Sequence, residues 1–144
     1  MWRKVVCFKW VLCVLAVFAH DATAQASTLD IFWIDVEGGA ATLIVSPDGQ
    51  SMLIDTGFPS QDNRDAKRIF NVTQEAGLTR IDLLVITHFH RDHVGGLEAL
   101  AEMIPIEACV DHGTNTEESN QQWVESYIRV CGDKRAAVAA GQEI

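Results

Sequence analysis

His88-Phe89-His90-Arg91-Asp92-His93 places three of the chain's five histidines and an aspartate within six positions, directly after the apolar run Ile81–Thr87. Neutral imidazole nitrogen and carboxylate oxygen are ligands that a borderline ion such as Zn²⁺ accepts, whereas calcium and magnesium take oxygen. His88 and His90, two residues apart, aim to one side if extended geometry persists beyond the strand, and so can share one ion. Asp92 and His93 follow where Gly95-Gly96 and then Leu97–Met103 read as the start of a helix. A turn there carries both side chains toward a second, neighbouring ion. The expected metal ligands are therefore His88, His90, Asp92 and His93. A lone exposed histidine is more often a polar turn residue than a ligand, but that reading does not account for four ligand-type side chains in six positions.

Such a loop has to be held by strands and helices in the right order. Leu29–Val36 is too apolar for a half-exposed strand and reads as a core strand with both faces partly covered. Ala41–Val45 and Ser51–Ile54 flank Ser46-Pro47-Asp48-Gly49, where proline followed by Asp-Gly presets a tight turn, so the two segments form a hairpin. Ser60 or Asp62 can cap a helix running to about Ala76, with Gly77 in the left-handed position beyond it and Ile69, Phe70, Val72 and Ala76 facing the sheet. The strand Ile81–Thr87 leads into the histidines, a helix over Gly96–Met103 stops before Pro105, and Ile106–Val110 is the next strand, ending in Asp111-His112-Gly113. A last helix over Glu118–Val130 would bury Trp123, Tyr127, Ile128 and Val130, a spacing that belongs to a core rather than to a cofactor contact.

Two residues outside the loop bear on its chemistry. Asp55, in the turn Leu53-Ile54-Asp55-Thr56-Gly57, sits where its carboxylate can accept a hydrogen bond from a ligand histidine, fixing that ring's tautomer and raising its basicity. The alternative is an aspartate that bonds only its own turn. His112 is a lone histidine at a strand end that can approach the same region.

Composition sets the limits. A chain of 144 residues, 48% hydrophobic and 22% charged, suits one domain with one core. Residues 1–26 stand apart: Arg3, Lys4 and Lys9 precede the apolar run Trp10–Ala19, which is short for a bilayer span, and Ala24-Gln25-Ala26 offers a cleavage site. The expected organisation is a secretory signal peptide over 1–26 and one domain over 27–144, secreted or periplasmic, with no stable membrane span after cleavage. An uncleaved anchor is the alternative. Removing Arg3, Lys4, Lys9 and Asp21 from 11 basic and 20 acidic residues leaves 8 and 19, a formal charge of −11. Such a surface repels polyanions, and Arg64–Arg68 and Lys134-Arg135 read as solvated helix faces rather than a nucleic-acid footprint. The expected partner is a small-molecule substrate. Outside the leader, Cys109 and Cys131 can pair in an oxidising compartment or remain free and buried.

His-x-His-x-Asp-His followed by Gly95-Gly96 resembles the signature of the metallo-β-lactamase fold superfamily, a large group of mostly zinc-dependent hydrolases. The order of elements is similar too: a strand, a hairpin, the Asp55-Thr56-Gly57 turn, a helix, a strand and the histidine loop. The resemblance implies an α/β fold, the αββα sandwich, of which this chain supplies the N-terminal half. It implies two zinc ions in the complete domain, with His88 and His90 on the first and Asp92 and His93 on the second. It also implies Asp55 behind the ligands and Asp92 as the catalytic residue that passes a proton to the leaving group. Family members complete both sites with further ligands on later strands, and after His112 this chain has no histidine. Gly141-Gln142-Glu143-Ile144 reads as the turn into another strand, so a fragment with one uncovered sheet face is expected.

The implied chemistry is hydrolysis. Zinc lowers the pKa of bound water from about 9 toward about 7, which makes a hydroxide nucleophile available at neutral pH, and a second ion polarises the substrate. The expectation is a secreted metallo-hydrolase acting through a metal-activated hydroxide on a phosphodiester or other ester. Ile34-Asp35-Val36 with the Gly-Gly stretch after it, and Leu-Ile-Asp-Thr-Gly, look most like the extracytoplasmic metallo-hydrolase domain of competence-type DNA-uptake proteins. Glu37-Gly38-Gly39-Ala40 stands where those have Gly-Gln-Gly-Asp. A β-lactam hydrolase is the main alternative. One of another class is a non-catalytic zinc-binding remnant or pseudoenzyme that uses the same four residues.

Overall fold

Pro47 and Gly49, the latter at φ 80°, close the turn between β2 (Thr42–Val45) and β3 (Ser51–Ile54), which pair antiparallel with Leu43 opposite Leu53. β1 (Asp30–Trp33) adds antiparallel to β2. From β3 onward every strand is reached through a helix, so the pairing becomes parallel. α1 (Arg64–Glu75) leads to β4 (Ile81–Ile86), α2 (Arg91–Val94) and α3 (Leu97–Ala101) lead to β5 (Ile106–Asp111), and α4 (Gln121–Cys131) leads to β6 (Arg135–Ala137). The six strands lie in sequence order in one mixed sheet. This computed structural model describes residues 28–143; the expected leader over 1–26 and Ile144 lie outside them. Within that range the fold is of the expected α/β class, with one sheet and one layer of helices.

Strand periodicity separates the two faces. Leu43, Leu53, Leu84 and Cys109, paired in a row across four strands, are buried, and Ile69 of α1, Leu97 and Leu100 of α3, and Tyr127 and Cys131 of α4 complete the same core. The neighbouring row, Ile31, Ile44, Met52 and Leu83, is half-buried or exposed among the described residues. β1 corrects the expectation of a core strand over Leu29–Val36. It is four residues long, has a neighbour only in β2 among the described residues, and leaves Trp33 80% exposed. An apolar segment reads alike at the centre of a sheet and at its edge.

The helices depart from expectation in detail. Ser60 caps α1, its hydroxyl accepting the Arg64 N–H at 2.8 Å, while Asn63 takes the left-handed cap position without a side-chain bond. Arg64–Arg68 is not a plain solvated face, because Asp65 is fully buried and accepts hydrogen bonds from Phe58 N–H and Arg64 Nε. The helix expected over Gly96–Met103 is α3, a little shorter than expected, and the turn expected at Asp92-His93 is itself a short helix, α2, separated from α3 at Gly95-Gly96. In α4, Tyr127 and Cys131, one turn apart, set the inward face. Ile128, expected to be buried, is 39% exposed. Lys134 donates to the Ile106 carbonyl from a 3₁₀ turn and Arg135 opens β6, so that pair is not a helix face either. The short strand β6, Arg-Ala-Ala, carries no periodic signature and was not expected.

Cys109 and Cys131 form a disulfide, which decides between the two readings left open. The bridge ties β5 to the end of α4 across a sequence separation of 22. Constraining a loop of that size is worth about 3 kcal/mol in the chain-entropy account. Cys131→Ser is expected to lower the thermal midpoint by roughly 10 °C. Wild-type protein in reductant should melt at the variant's temperature, and an unchanged midpoint in both would show that the bridge contributes nothing.

Candidate metal centre

Because β3, β4 and β5 are parallel, their C-terminal ends share one edge of the sheet, and Asp55, Thr87-His88 and His112 emerge there together. Asp55 adopts φ 59°, the left-handed region that aspartate tolerates better than most residues, and its N–H donates to the Val85 carbonyl at 2.9 Å. Its carboxylate is 2% exposed and fully engaged. Oδ1 accepts the Thr87 N–H at 2.9 Å, and Oδ2 accepts the Thr87 hydroxyl and the His93 Nδ1–H, each at 2.7 Å. Asp55 thus bonds a histidine of the loop and not only its own turn.

Hydrogen-bond accounting then fixes which nitrogens are free. With Nδ1 of His93 donating to Asp55, the lone pair of the neutral ring lies on Nε2, 3.5 Å from Asp92 Oδ2. The Thr87 hydroxyl has given its proton to Asp55, so toward His88 Nδ1, 3.1 Å away, it acts as acceptor, and the His88 lone pair also lies on Nε2. Burial first, and then the neighbouring His93 and His90, hold the His88 imidazole below its usual pKa and favour the neutral form.

The rings are grouped differently from the spacing argument. His88 lies between the other two, with ring centroids 3.8 Å from His93 and 4.5 Å from His90. The cause is α2, which begins directly after His90 and folds His93 back over His88, whereas an extended chain would separate the pairs. His90 Nε2 meets Glu117 Oε2 at 2.9 Å. His112 packs on Phe89, with centroids 5.2 Å apart, and lines a cavity of about 100 Å³ together with His88, His90, Asn115, Glu117 and Asn120. Glu117 was not foreseen: it lies 27 positions from His90 in a polar stretch with no distinguishing local signal.

Close backbone packing holds the loop against the Asp55 turn. Thr56 N–H and its hydroxyl both donate to the His93 carbonyl, at 2.7 and 3.0 Å, and Ala40 N–H donates to the Asp92 carbonyl at 3.1 Å. These contacts need Gly95 and Gly96, because a Cβ on Gly95 would collide with Pro59 and one on Gly96 with the Thr56 carbonyl oxygen. The Gly-Gly pair read as a helix start is therefore a close-approach point. Gly96→Ala is expected to cost about 1–3 kcal/mol through overpacking against backbone that cannot rotate away. A denaturant midpoint equal to wild type would show that the turn can yield.

The donor set of three imidazoles and a carboxylate suits a zinc-like ion, and two of the rings have their Nδ1 atoms tied back so that Nε2 is the nitrogen left for it. Among the described residues no three His, Cys, Asp or Glu side chains are grouped closely enough to hold an ion. The fit is that of an open ligand cluster, not of a closed cage.

Residues 34–131 match the family described as the Metallo-beta-lactamase superfamily. Over 78 residues the chain is 33% identical to a UPF0173 metal-dependent hydrolase of Cupriavidus taiwanensis, covering 54% of this chain and 25% of that protein. Over 100 residues it is 27% identical to Integrator complex subunit 11 of Danio rerio, covering 67% of this chain and 17% of that one. In structure it is similar to MEM-A1, a subclass B3 metallo-β-lactamase isolated from a soil metagenome library, with a TM-score of 0.56 and 20% identity over 83% of this chain and 47% of that chain. The chain spans a quarter or less of the length of these two curated relatives.

Proposed function

Since this chain belongs to the metallo-β-lactamase superfamily, we propose that it carries the first ligand loop of a metal-dependent hydrolase, with zinc as the ion and a phosphodiester or other ester as substrate. The observation that carries this reading is the wiring of His93. A buried carboxylate, Asp55, holds Nδ1–H and leaves Nε2 as the free donor beside His88 and Asp92. His88, His90, Asp92 and His93 are the residues that would hold the ions, up to two in a complete domain. When bound, zinc supplies an acidified water and a positive centre for a substrate oxygen.

The chain's own residues bind and orient. Asp55 and Thr87 fix the tautomers of His93 and His88. In this reading Asp92, a partly exposed carboxylate at the head of α2, moves a proton to a leaving group. The basic start, apolar run and Ala-x-Ala sequence of the first 26 residues support a secreted or periplasmic location. A formal charge of −9 supports a small substrate over a nucleic acid, and the first strand and Asp-Thr-Gly turn favour phosphodiesters over β-lactams through their likeness to competence-type proteins.

The test offers zinc-loaded and chelator-treated protein bis-(p-nitrophenyl) phosphate and a chromogenic cephalosporin. Zinc-dependent release of p-nitrophenolate, lost in His88→Ala, is the expected result. Turnover of the cephalosporin alone would move the assignment to a β-lactam hydrolase. Stoichiometric zinc with neither substrate cleaved would make it a non-catalytic zinc-binding module.

A further inference from the structure

We propose that Glu117 is a positioning residue for His90, holding its Nε2–H so that Nδ1 is the nitrogen offered to a metal. The inference rests on the reading of the histidine loop as a metal centre, and it adds a residue from a different part of the chain. Glu117 Oε2 lies 2.9 Å from His90 Nε2. An ionised carboxylate can only accept, so the hydrogen sits on Nε2, and a neutral imidazole then has its single lone pair on Nδ1.

Glu117 is held in place. Its Oε2 also accepts the Asn120 Nδ2–H at 2.7 Å, and its carbonyl accepts the Asn115 Nδ2–H at 2.7 Å. The Glu117 N–H donates to Asn115 Oδ1 at 3.3 Å, and the Asn120 N–H donates to the Glu117 carbonyl at 3.1 Å. Glu117 is thus tied to Asn115 through its backbone and to Asn120 through both backbone and carboxylate, and Asn120 is the residue at which α4 begins. His90 in turn is the residue at which α2 begins, with an extended backbone at φ −84° and ψ 156°. The Glu117–His90 contact therefore joins the heads of two helices on either side of the cavity lined by His88 and His112.

Asp55 and Glu117 act in opposite senses. Asp55 takes Nδ1 of His93 and frees Nε2, whereas Glu117 takes Nε2 of His90 and frees Nδ1. His88, tied through Thr87, presents Nε2. Nδ1 lies closer to the backbone than Nε2, so the opposite choice at His90 draws its donor atom in toward the loop. A carboxylate that supports a ligand histidine in this way typically changes metal affinity 10- to 100-fold when removed.

The experiment uses the full chain, with histidine ¹⁵N labelled, as wild type, Glu117→Ala and Glu117→Gln. Long-range ¹H–¹⁵N spectra of metal-free protein, recorded well above the imidazole titration range, read the tautomers, and competition with a chromophoric chelator reads zinc affinity. His90 is expected as the Nε2–H tautomer in wild type and in Glu117→Gln, whose amide oxygen still accepts, and as a mixture in Glu117→Ala. Zinc should bind about 10- to 100-fold more weakly to Glu117→Ala and within about threefold of wild type to Glu117→Gln. Glu117 is exposed, so its loss leaves the core intact. A His90 Nδ1–H tautomer in wild type, or no change in Glu117→Ala, overturns the proposal while zinc binding by wild type keeps the metal centre standing. Equal weakening in Glu117→Gln and Glu117→Ala would make Glu117 a direct ligand and also overturn it. A wild-type chain that binds no zinc would remove the metal-centre reading itself.

Discussion

Asp55→Ala is expected to weaken zinc binding about 10- to 100-fold. The substitution deletes the acceptor for three donors at once: the Thr87 N–H, the Thr87 hydroxyl and His93 Nδ1–H. His93 is then free to take either tautomer and to rotate. The Thr87 hydroxyl, no longer committed to Asp55, can turn its own proton toward His88 and reverse that ring's tautomer as well. One carboxylate therefore sets two of the three imidazoles in the loop. The cost to folding should be of similar size, about 1–3 kcal/mol, because Thr87 is exposed and water can replace part of what is lost. Asp55→Asn should fall between, since asparagine tolerates the left-handed backbone but offers one acceptor oxygen in place of two. Zinc competition on the three proteins checks this ordering. Affinity unchanged in Asp55→Ala would mean that the ligand rings are held by packing alone.

Arg135→Leu should destabilise the fold by about 3–5 kcal/mol, the usual consequence of leaving a buried charge without its partner. Asp111 is 1% exposed at the end of β5. Its Oδ2 accepts Arg135 Nε at 2.6 Å, and its Oδ1 accepts Arg135 Nη2 at 2.9 Å and the Gly113 N–H at 2.7 Å. This two-pronged pair, with Arg135 also donating to the Gly113 carbonyl, pins the short strand β6 and the Asp111-His112-Gly113 turn that faces the histidines. Tyr127 packs beneath with its hydroxyl buried and unpaired among the described residues. Burial, then the Asp111 charge, pushes that phenol far above its usual pKa and keeps it neutral.

Burial alone would raise the Asp111 pKa, but Arg135 and the Gly113 N–H outweigh it and hold the carboxyl below its ordinary 3.8. A depressed folded-state pKa contributes stability above the unfolded value, and that contribution is lost as pH falls through the folded value. The stability gap between wild type and Arg135→Leu should therefore be full at neutral pH and narrow in acid below the ordinary carboxylate pKa. Asp111→Leu combined with Arg135→Leu should cost less than Arg135→Leu alone, because no charge is left stranded. Urea unfolding at neutral and acid pH measures both, and a gap independent of pH would assign the effect to packing.

Some of this was legible in the chain because its cause is local. The ligand residue types sit within six positions, Pro47 and Gly49 preset the hairpin turn, and Ser60 caps the helix that follows it. Each depends on neighbours a few residues away. That β1 lies at the edge of the sheet among the described residues was not legible, since Ile31 and Trp33 are equally apolar whether or not another strand covers them. Nor was the break between α2 and α3, because Gly95-Gly96 suits a helix start and a close approach equally well, and only the position of Pro59 and Thr56 distinguishes the two.

By itself the sequence determined a histidine-aspartate loop after a buried strand, behind a hairpin and an Asp-Thr-Gly turn, and so a superfamily and a class of chemistry. The tertiary structure alone decided which nitrogen each imidazole offers. That choice belongs to Asp55 for His93 and Glu117 for His90, 38 and 27 positions away in the chain. A hydrogen bond is settled by which acceptor stands within about 3 Å of which ring nitrogen, and only the packing of parallel strands and their helices brings such distant groups that close.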